Sequence, residues 1–147
     1  MIDLFSLAWL HHAVSWLLAP ALAALLFACA VALVEAGIAV GERFHGLKQL
    51  GASGDVERVH LLARKRLERA DLLARIPPML GLMATIIPLG PGLAALGRGD
   101  PAQLASAVTV AFDATVLGLA AGIGGLVIGK LRRRWYEETL EAMEGAA

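Results

Sequence analysis

Apolar residues fall into three long runs, which are separated by one polar segment and one short loop. The runs cover residues 13–40, 76–97 and 104–129. Each is as long as the stretch of about 20 apolar residues that an α-helix needs to cross the hydrocarbon core of a bilayer. The pattern therefore predicts an all-α integral membrane protein with three transmembrane helices.

The other segments complete a single membrane domain over residues 1–147. They are an external N-terminal segment, a cytoplasmic helical segment, an external loop and a cytoplasmic C-terminal helix, over residues 1–12, 41–75, 98–103 and 130–147. Hydrophobic positions within residues 55–76 repeat with the spacing of an amphipathic helix, which we expect to end at Pro77 and Pro78. Asp100, followed by a proline and then by Gln103, predicts the start of the third helix.

Positive charge is distributed unevenly around the three runs. Eight lysines and arginines lie between the first two runs and four follow the third, whereas residues 1–16 contain none. Because basic residues accumulate on the cytoplasmic side of a membrane, this pattern places the N-terminus outside and the C-terminus in the cytoplasm. Arg132, Arg133 and Arg134 are interpreted as a topology anchor at the lipid headgroups.

Composition agrees with a membrane protein and argues against several other classes. Hydrophobic residues make up 58% of the chain and charged residues 18%, and the mean hydropathy is +0.68. A net charge of zero provides no basic surface for nucleic acid. The single cysteine, Cys29, rules out an internal disulfide, and the adjacent His11 and His12 are a poor metal pair. Since no nucleophile–base pair or nucleotide-binding motif is present, we expect neither an enzyme nor a bound cofactor or metal.

Asp113 lies in the middle of the third run, further from the end of an apolar run than any other acidic residue. A carboxylate at membrane depth costs roughly 2.5–3.5 kcal/mol and normally marks an ion or proton pathway. Thr109 lies one helical turn before it on the same face. The alternative interpretation is that Asp113 only forms structural hydrogen bonds within a helix bundle.

Another side of the third helix carries a stripe of glycines that favours close helix packing. These glycines are Gly118, Gly122, Gly125 and Gly129. The helical repeat places Asp113 roughly opposite the stripe, while Thr115 flanks it. We therefore predict one tightly packed face and one separate polar face.

Two polar residues in the other runs have ordinary structural interpretations. Glu35, at the end of the first run, is expected to reach the membrane interface or to pair with Arg43 or Lys48. Thr85, in the second run, is ambiguous because membrane threonines usually bond to the backbone of their own helix.

Two segments resemble motifs of the MotA/TolQ/ExbB proton-channel family. Residues 78–85, Pro-Met-Leu-Gly-Leu-Met-Ala-Thr, resemble the proline-then-GLxGT motif of the second transmembrane helix. Residues 114–119, Ala-Thr-Val-Leu-Gly-Leu, resemble the AxxTxxGL-type stretch of the third. The resemblance covers about residues 72–136, and the predicted topology is similar to that of TolQ/ExbB-like members.

The chain departs from the family pattern at two positions. Ala84 replaces the second glycine of the first motif. Val110 stands where many relatives carry a glutamate, and Asp113 lies one helical turn later, about 60° around the helix axis. A carboxylate is therefore retained on a neighbouring face and not at the usual site.

The resemblance implies a homo-oligomeric ring, pentameric in the family, in a prokaryotic cytoplasmic membrane. The ring would enclose transmembrane helices of an ExbD-like or TolR-like partner that has its own intramembrane aspartate, and proton flow would drive mechanical work. Thr85 and Thr115 would line the proton path, and Asp113 with Thr109 would serve as a relay or a counter-charge. The residues leave open a structural scaffold, a channel that works without a partner, and Na⁺ in place of H⁺.

Overall fold

The described residues of the computed structural model, 4–42 and 56–145, fold into three long helices. Helix α1 spans Leu4–Gly41, α2 spans Val56–Gly97 and α3 spans Pro101–Glu144. Within these ranges there is no strand. Each helix contains a stretch that is long and apolar enough to cross a membrane. The all-α class with three candidate transmembrane helices is therefore confirmed.

Helix α2 runs without interruption through four prolines, Pro77, Pro78, Pro88 and Pro91. The prediction that the polar helix would end at the first proline pair is therefore wrong. Each proline lacks a backbone N–H, so one carbonyl oxygen of the preceding turn loses its hydrogen bond. Membrane helices tolerate this loss where neighbouring groups satisfy the freed backbone groups. Pro77 is fully buried, and its carbonyl oxygen lies against the backbone of Gly118 in α3. The continuous helix therefore coincides with a close contact between α2 and α3 at this position.

A tight turn joins α2 to α3. Gly99 has a φ of 84°, which lies in the left-handed region that suits glycine, and its N–H donates to the Leu96 carbonyl at 2.9 Å. The Asp100 carboxylate accepts a hydrogen bond from the Gln103 N–H at 3.1 Å. The predicted N-cap is thus confirmed, and α3 starts at Pro101 as its sequence indicates.

The helices divide into two compact units, and each unit contains part of all three helices. The first unit comprises Met1–Cys29 and Ile76–Ala120, and the second comprises Ala30–Arg75 and Ala121–Ala147. Buried apolar residues form a core in each: Leu25, Ala84 and Ala114 in the first unit, and Val59, Ala63 and Tyr136 in the second.

Glycines on α3 bring it into direct contact with the α2 backbone within each unit. A Cβ atom added at Gly118 would lie 2.6 Å from the Pro77 carbonyl oxygen in the first unit. In the second unit, a Cβ atom at Gly125 would lie 2.6 Å from the Ala74 nitrogen. Gly122 is buried. A Cβ atom added at Gly129 would lie 3.4 Å from the Ala70 Cβ atom, which is an ordinary van der Waals distance. Three of the four glycines in the stripe thus lie at contacts between α2 and α3.

Replacing Gly118 with alanine should destabilise the protein, because the new methyl group would overlap a backbone carbonyl. We expect a loss of about 1–3 kcal/mol in the free energy of unfolding, as is typical of overpacking. Gly124→Ala is the matched control, since nothing lies within 4 Å of the added atom. Unfolding of the purified protein in mixed detergent micelles would measure both variants, and equal stability would contradict the packing role of Gly118.

Candidate functional site

Two threonine hydroxyls meet where α2 and α3 pack together in the first unit. The Oγ1 atoms of Thr85 and Thr115 are hydrogen-bonded to each other. The Thr115 hydroxyl also lies 3.0 Å from the Ala111 carbonyl oxygen. The Thr85 hydroxyl lies 2.8 Å from the Gly81 carbonyl oxygen and 3.2 Å from that of Ala111. The structure therefore brings together the two threonines that the sequence motifs singled out.

The hydroxyl pair can hold its two protons in two arrangements, because each hydroxyl has one proton to donate. In the first, Thr85 donates to Thr115, which donates to the Ala111 carbonyl. In the second, Thr115 donates to Thr85, which donates to the Gly81 carbonyl. Exchange between them reverses the direction of the hydrogen-bond chain while every heavy atom stays in place. This reversal is the chemistry that a proton relay requires, although a structural interhelical bond would use the same contacts.

Small residues around the threonine pair allow the two helices to approach closely. Gly81 is buried, and a Cβ atom added there would lie 3.0 Å from the Ala114 carbonyl oxygen. Ala84, which replaces the second glycine of the family motif, is fully buried in the core of the first unit. Its methyl group fits in this core, so the departure from the motif is compatible with close packing at the threonines.

Asp113 and Thr109 lie on the exposed side of α3, away from the threonine pair. Asp113 and Thr115 project about 160° apart around the helix axis, and Asp113 is exposed whereas Ala111 and Ala114 are buried. The Thr109 hydroxyl donates to the Ala105 carbonyl at 3.0 Å. Asp113 has no hydrogen bond or ion pair with any other described residue. Of the four predicted pathway residues, Thr85 and Thr115 are therefore in contact, whereas Asp113 and Thr109 lie apart from them on another side of α3.

The exposed side of α3 around Asp113 carries both large apolar and small residues that sequence reasoning did not single out. Val116 and Leu117, in the next turn after Asp113, are exposed and large. Ala102, Ser106 and Ala120 are exposed there, at helical spacing from Thr109 and Asp113. Small and polar side chains of this kind allow another helix to approach closely in a membrane. The available sequence signal was the spacing of Ser106 and Thr109 ahead of Asp113.

A second polar cluster, which sequence reasoning missed, surrounds Arg132 in the second unit. Arg132 is fully buried, and its guanidinium group lies 2.7 Å from the Glu35 carboxylate and 3.2 Å from that of Glu42. From α2, Arg66 lies 3.0 Å from Glu42 and Arg69 lies 3.7 Å from Glu35. Charged side chains from all three helices therefore meet in this cluster.

This cluster corrects the expectations for Arg132 and Glu35. Arg132 is fully buried and not at an exposed headgroup position. The carboxylates of Glu35 in α1 and of Glu42, directly after α1, oppose its charge inside the protein. Glu35 is buried against Arg132, while its expected partners at positions 43 and 48 lie outside the described residues. The sequence signal was the seven-residue spacing of Glu35 and Glu42, which places both on one side of the chain at the end of α1.

The other two residues of the predicted topology anchor are exposed. Arg133 pairs with Glu137 at 3.6 Å, and Arg134 pairs with Glu138 at 2.8 Å. Both are pairs between successive turns of one helix, which contribute little to stability. Exposed positions of this kind are compatible with contact to solvent or lipid headgroups.

Three helices that are each long and apolar enough to cross a membrane fit a multi-pass membrane protein. A sequence model of the MotA/TolQ/ExbB proton channel family matches residues 50–145, which is most of the chain. The chain therefore belongs to the MotA/TolQ/ExbB proton channel family, as its two motifs indicated. Comparison with curated proteins and with solved structures gave no match.

Proposed function

We propose that this chain is a ring subunit of an energy-transducing complex driven by the proton-motive force. In this complex it conducts protons together with an ExbD-like or TolR-like partner, and proton flow powers mechanical work. Family membership supports proton conduction, and the Thr85–Thr115 hydroxyl pair is the observation that carries the proposal. The pair is partly buried between two membrane helices and can reverse its hydrogen bonds.

The exposed face around Asp113 supports assembly into a ring, which we propose to be a homo-pentamer. A carboxylate that faced lipid at this depth would be costly, so a second copy or the partner is expected to cover it. We propose that the partner is a single-span protein with an intramembrane aspartate. Asp113 with Thr109 would then act as a relay or a counter-charge inside the ring.

For orientation, we propose a prokaryotic cytoplasmic membrane with the N-terminus outside and the C-terminus inside. The charged ends of α2 and α3, residues 57–75 and 130–144, would then form cytoplasmic extensions. Arg133 and Arg134 would lie near the inner headgroups. In this orientation the short loop with Arg98 is external.

Affinity purification of the tagged chain from its native membranes in mild detergent tests the proposed partner. We expect a short co-purifying protein with one transmembrane helix and an aspartate in that helix. A ring that purifies reproducibly without any second component would contradict the proposal. That outcome would favour a scaffold, in which the polar residues only hold helices together, or a channel without a partner.

Thr115→Val should lower proton flux while the fold is kept, because valine has a similar shape and no hydroxyl. The expected decrease is on the order of 100-fold, the lower range for loss of a positioned proton-transfer group. Thr115→Ser is the matched control, since it keeps the hydroxyl that bonds to Thr85 and to the Ala111 carbonyl. Flux in reconstituted complexes would be compared for the two variants. Similar flux in both would show that the hydroxyl pair is only structural.

A further inference from the structure

A groove between α2 and α3 in the second unit is lined by charges of both signs. It is an open groove with a volume of about 420 Å³. Glu68 and Asp71 line it from α2, and Lys130 and Arg133 line it from α3. Acidic groups therefore face one side of the groove and basic groups the other.

Small residues form the floor of this groove and fix its depth. Gly125 packs directly against the α2 backbone at Ala74, and a Cβ atom added at Gly129 would lie 3.4 Å from the Ala70 Cβ atom. Because these residues have little or no side chain, the longer charged side chains stand above them as walls. Leu67 and Leu126 add an apolar surface at the same place.

The charged groups of the groove are available for a ligand. Glu68 pairs with Arg64 at 3.1 Å, Asp71 with Arg75 at 3.2 Å and Arg133 with Glu137 at 3.6 Å. All three are exposed pairs within one helix, worth about 0.3–0.5 kcal/mol each, so a ligand can replace them at low cost. Lys130 is exposed and has no ion pair with another described residue.

The groove lies where both helices change from charged to apolar sequence. In α2 the charged residues end at Arg75, and the following residues 76–97 have none. In α3 the residues 114–129 have no charge, and Lys130 begins a charged segment. Such a boundary lies at the level of the lipid headgroups, where long basic side chains reach phosphate groups.

We propose that this groove binds the headgroup of a zwitterionic phospholipid with a phosphate and a primary ammonium group. Lys130 and Arg133 hold the phosphate, and Glu68 and Asp71 accept hydrogen bonds from the ammonium group. Leu126 lies beside the first part of an acyl chain. An anionic lipid would satisfy only the basic side of the groove, so the acidic side favours the zwitterionic class. The proposal does not depend on proton conduction.

Native mass spectrometry of the delipidated full-length protein tests this site, with dioleoyl phosphatidylethanolamine and dioleoyl phosphatidylglycerol as probes. Lys130→Gln should weaken binding of phosphatidylethanolamine about tenfold, as expected for the loss of one charged hydrogen bond. Glu68→Gln with Asp71→Asn should weaken it by a similar factor and leave phosphatidylglycerol binding unchanged or stronger. Lys65→Gln and Glu57→Gln are matched controls, because both residues are exposed on α2 outside the groove.

Several results would overturn the proposal. One is equal binding of phosphatidylethanolamine to the groove variants and the control variants. Another is tighter binding of phosphatidylglycerol than of phosphatidylethanolamine to the unchanged protein. A third is a crosslink from a cysteine placed at Asp71 to a second copy or a partner protein, which would show that a protein segment covers the groove. All variants change exposed residues, and their folding is checked by circular dichroism.

Discussion

Arg132→Met should destabilise the protein more than any other single substitution considered. The change leaves the Glu35 and Glu42 carboxylates without the guanidinium group that contacts both of them. Breaking a buried ion pair by removing one partner costs about 3–5 kcal/mol, because a charge stays buried without compensation. Arg66 and Arg69 remain near the two carboxylates, so the lower part of this range is expected. Unfolding in mixed detergent micelles, followed by circular dichroism, would measure the loss.

Two further variants show whether the loss of stability comes from the ion cluster or from the removal of any arginine. Arg134→Met removes an exposed arginine that pairs within α3, so a change of only about 0.5 kcal/mol is expected. Combining Arg132→Met with Glu35→Gln and Glu42→Gln removes the unpaired charges and should recover part of the stability. A loss for Arg132→Met no larger than that for Arg134→Met would contradict the role assigned to the cluster.

Asp113→Asn should abolish proton-driven output while the proposed ring still assembles. Asparagine has nearly the same shape as aspartate and can form hydrogen bonds, but it cannot take up and release a proton. If this step is required, flux should fall on the order of 100-fold or more, as for other positioned proton-transfer groups. Oligomer size in detergent and proton flux with the partner would be measured on the same preparation.

The outcome for Asp113→Asn also separates the two readings of this residue. Unchanged output would contradict a role in proton transfer. A parallel loss of assembly and output would favour the scaffold, in which Asp113 only bonds to a neighbouring helix. Glu141→Gln, an exposed acid-to-amide change near the end of α3, is the matched control and should leave both assembly and output unchanged.

The sequence predicted those features that depend on local pattern. Apolar length alone located the three helices, and Asp100 with Gln103 marked the start of α3 because an N-cap is a contact across three residues. The family motifs singled out Thr85 and Thr115, which contact each other although 30 positions separate them. The helical repeat also predicted that Asp113 lies on the side of α3 away from the glycine stripe, and Asp113 is exposed.

Other features depend on tertiary packing and could not be read from local pattern. Pro77 and Pro78 predicted the end of a helix, but α2 continues through both of them. The carbonyl oxygen of Pro77 lies close to Gly118 of α3, a contact that the local sequence does not reveal. Arg132 belongs to a run of three arginines, and only the position of α1 distinguishes it from its two neighbours. Glu35 pairs with Arg132, which is 97 positions away, and with Arg69 of α2, and no local pattern identifies either partner.

Proton flux into proteoliposomes tests the central claim most directly. The chain would be reconstituted alone and together with its co-purified partner, and flux would be followed with a pH-sensitive dye under an imposed membrane potential. We predict little flux for the ring alone, clear flux with the partner, and loss of that flux in Thr115→Val but not in Thr115→Ser. Equal flux with and without the partner, or no flux in either preparation, would contradict the account.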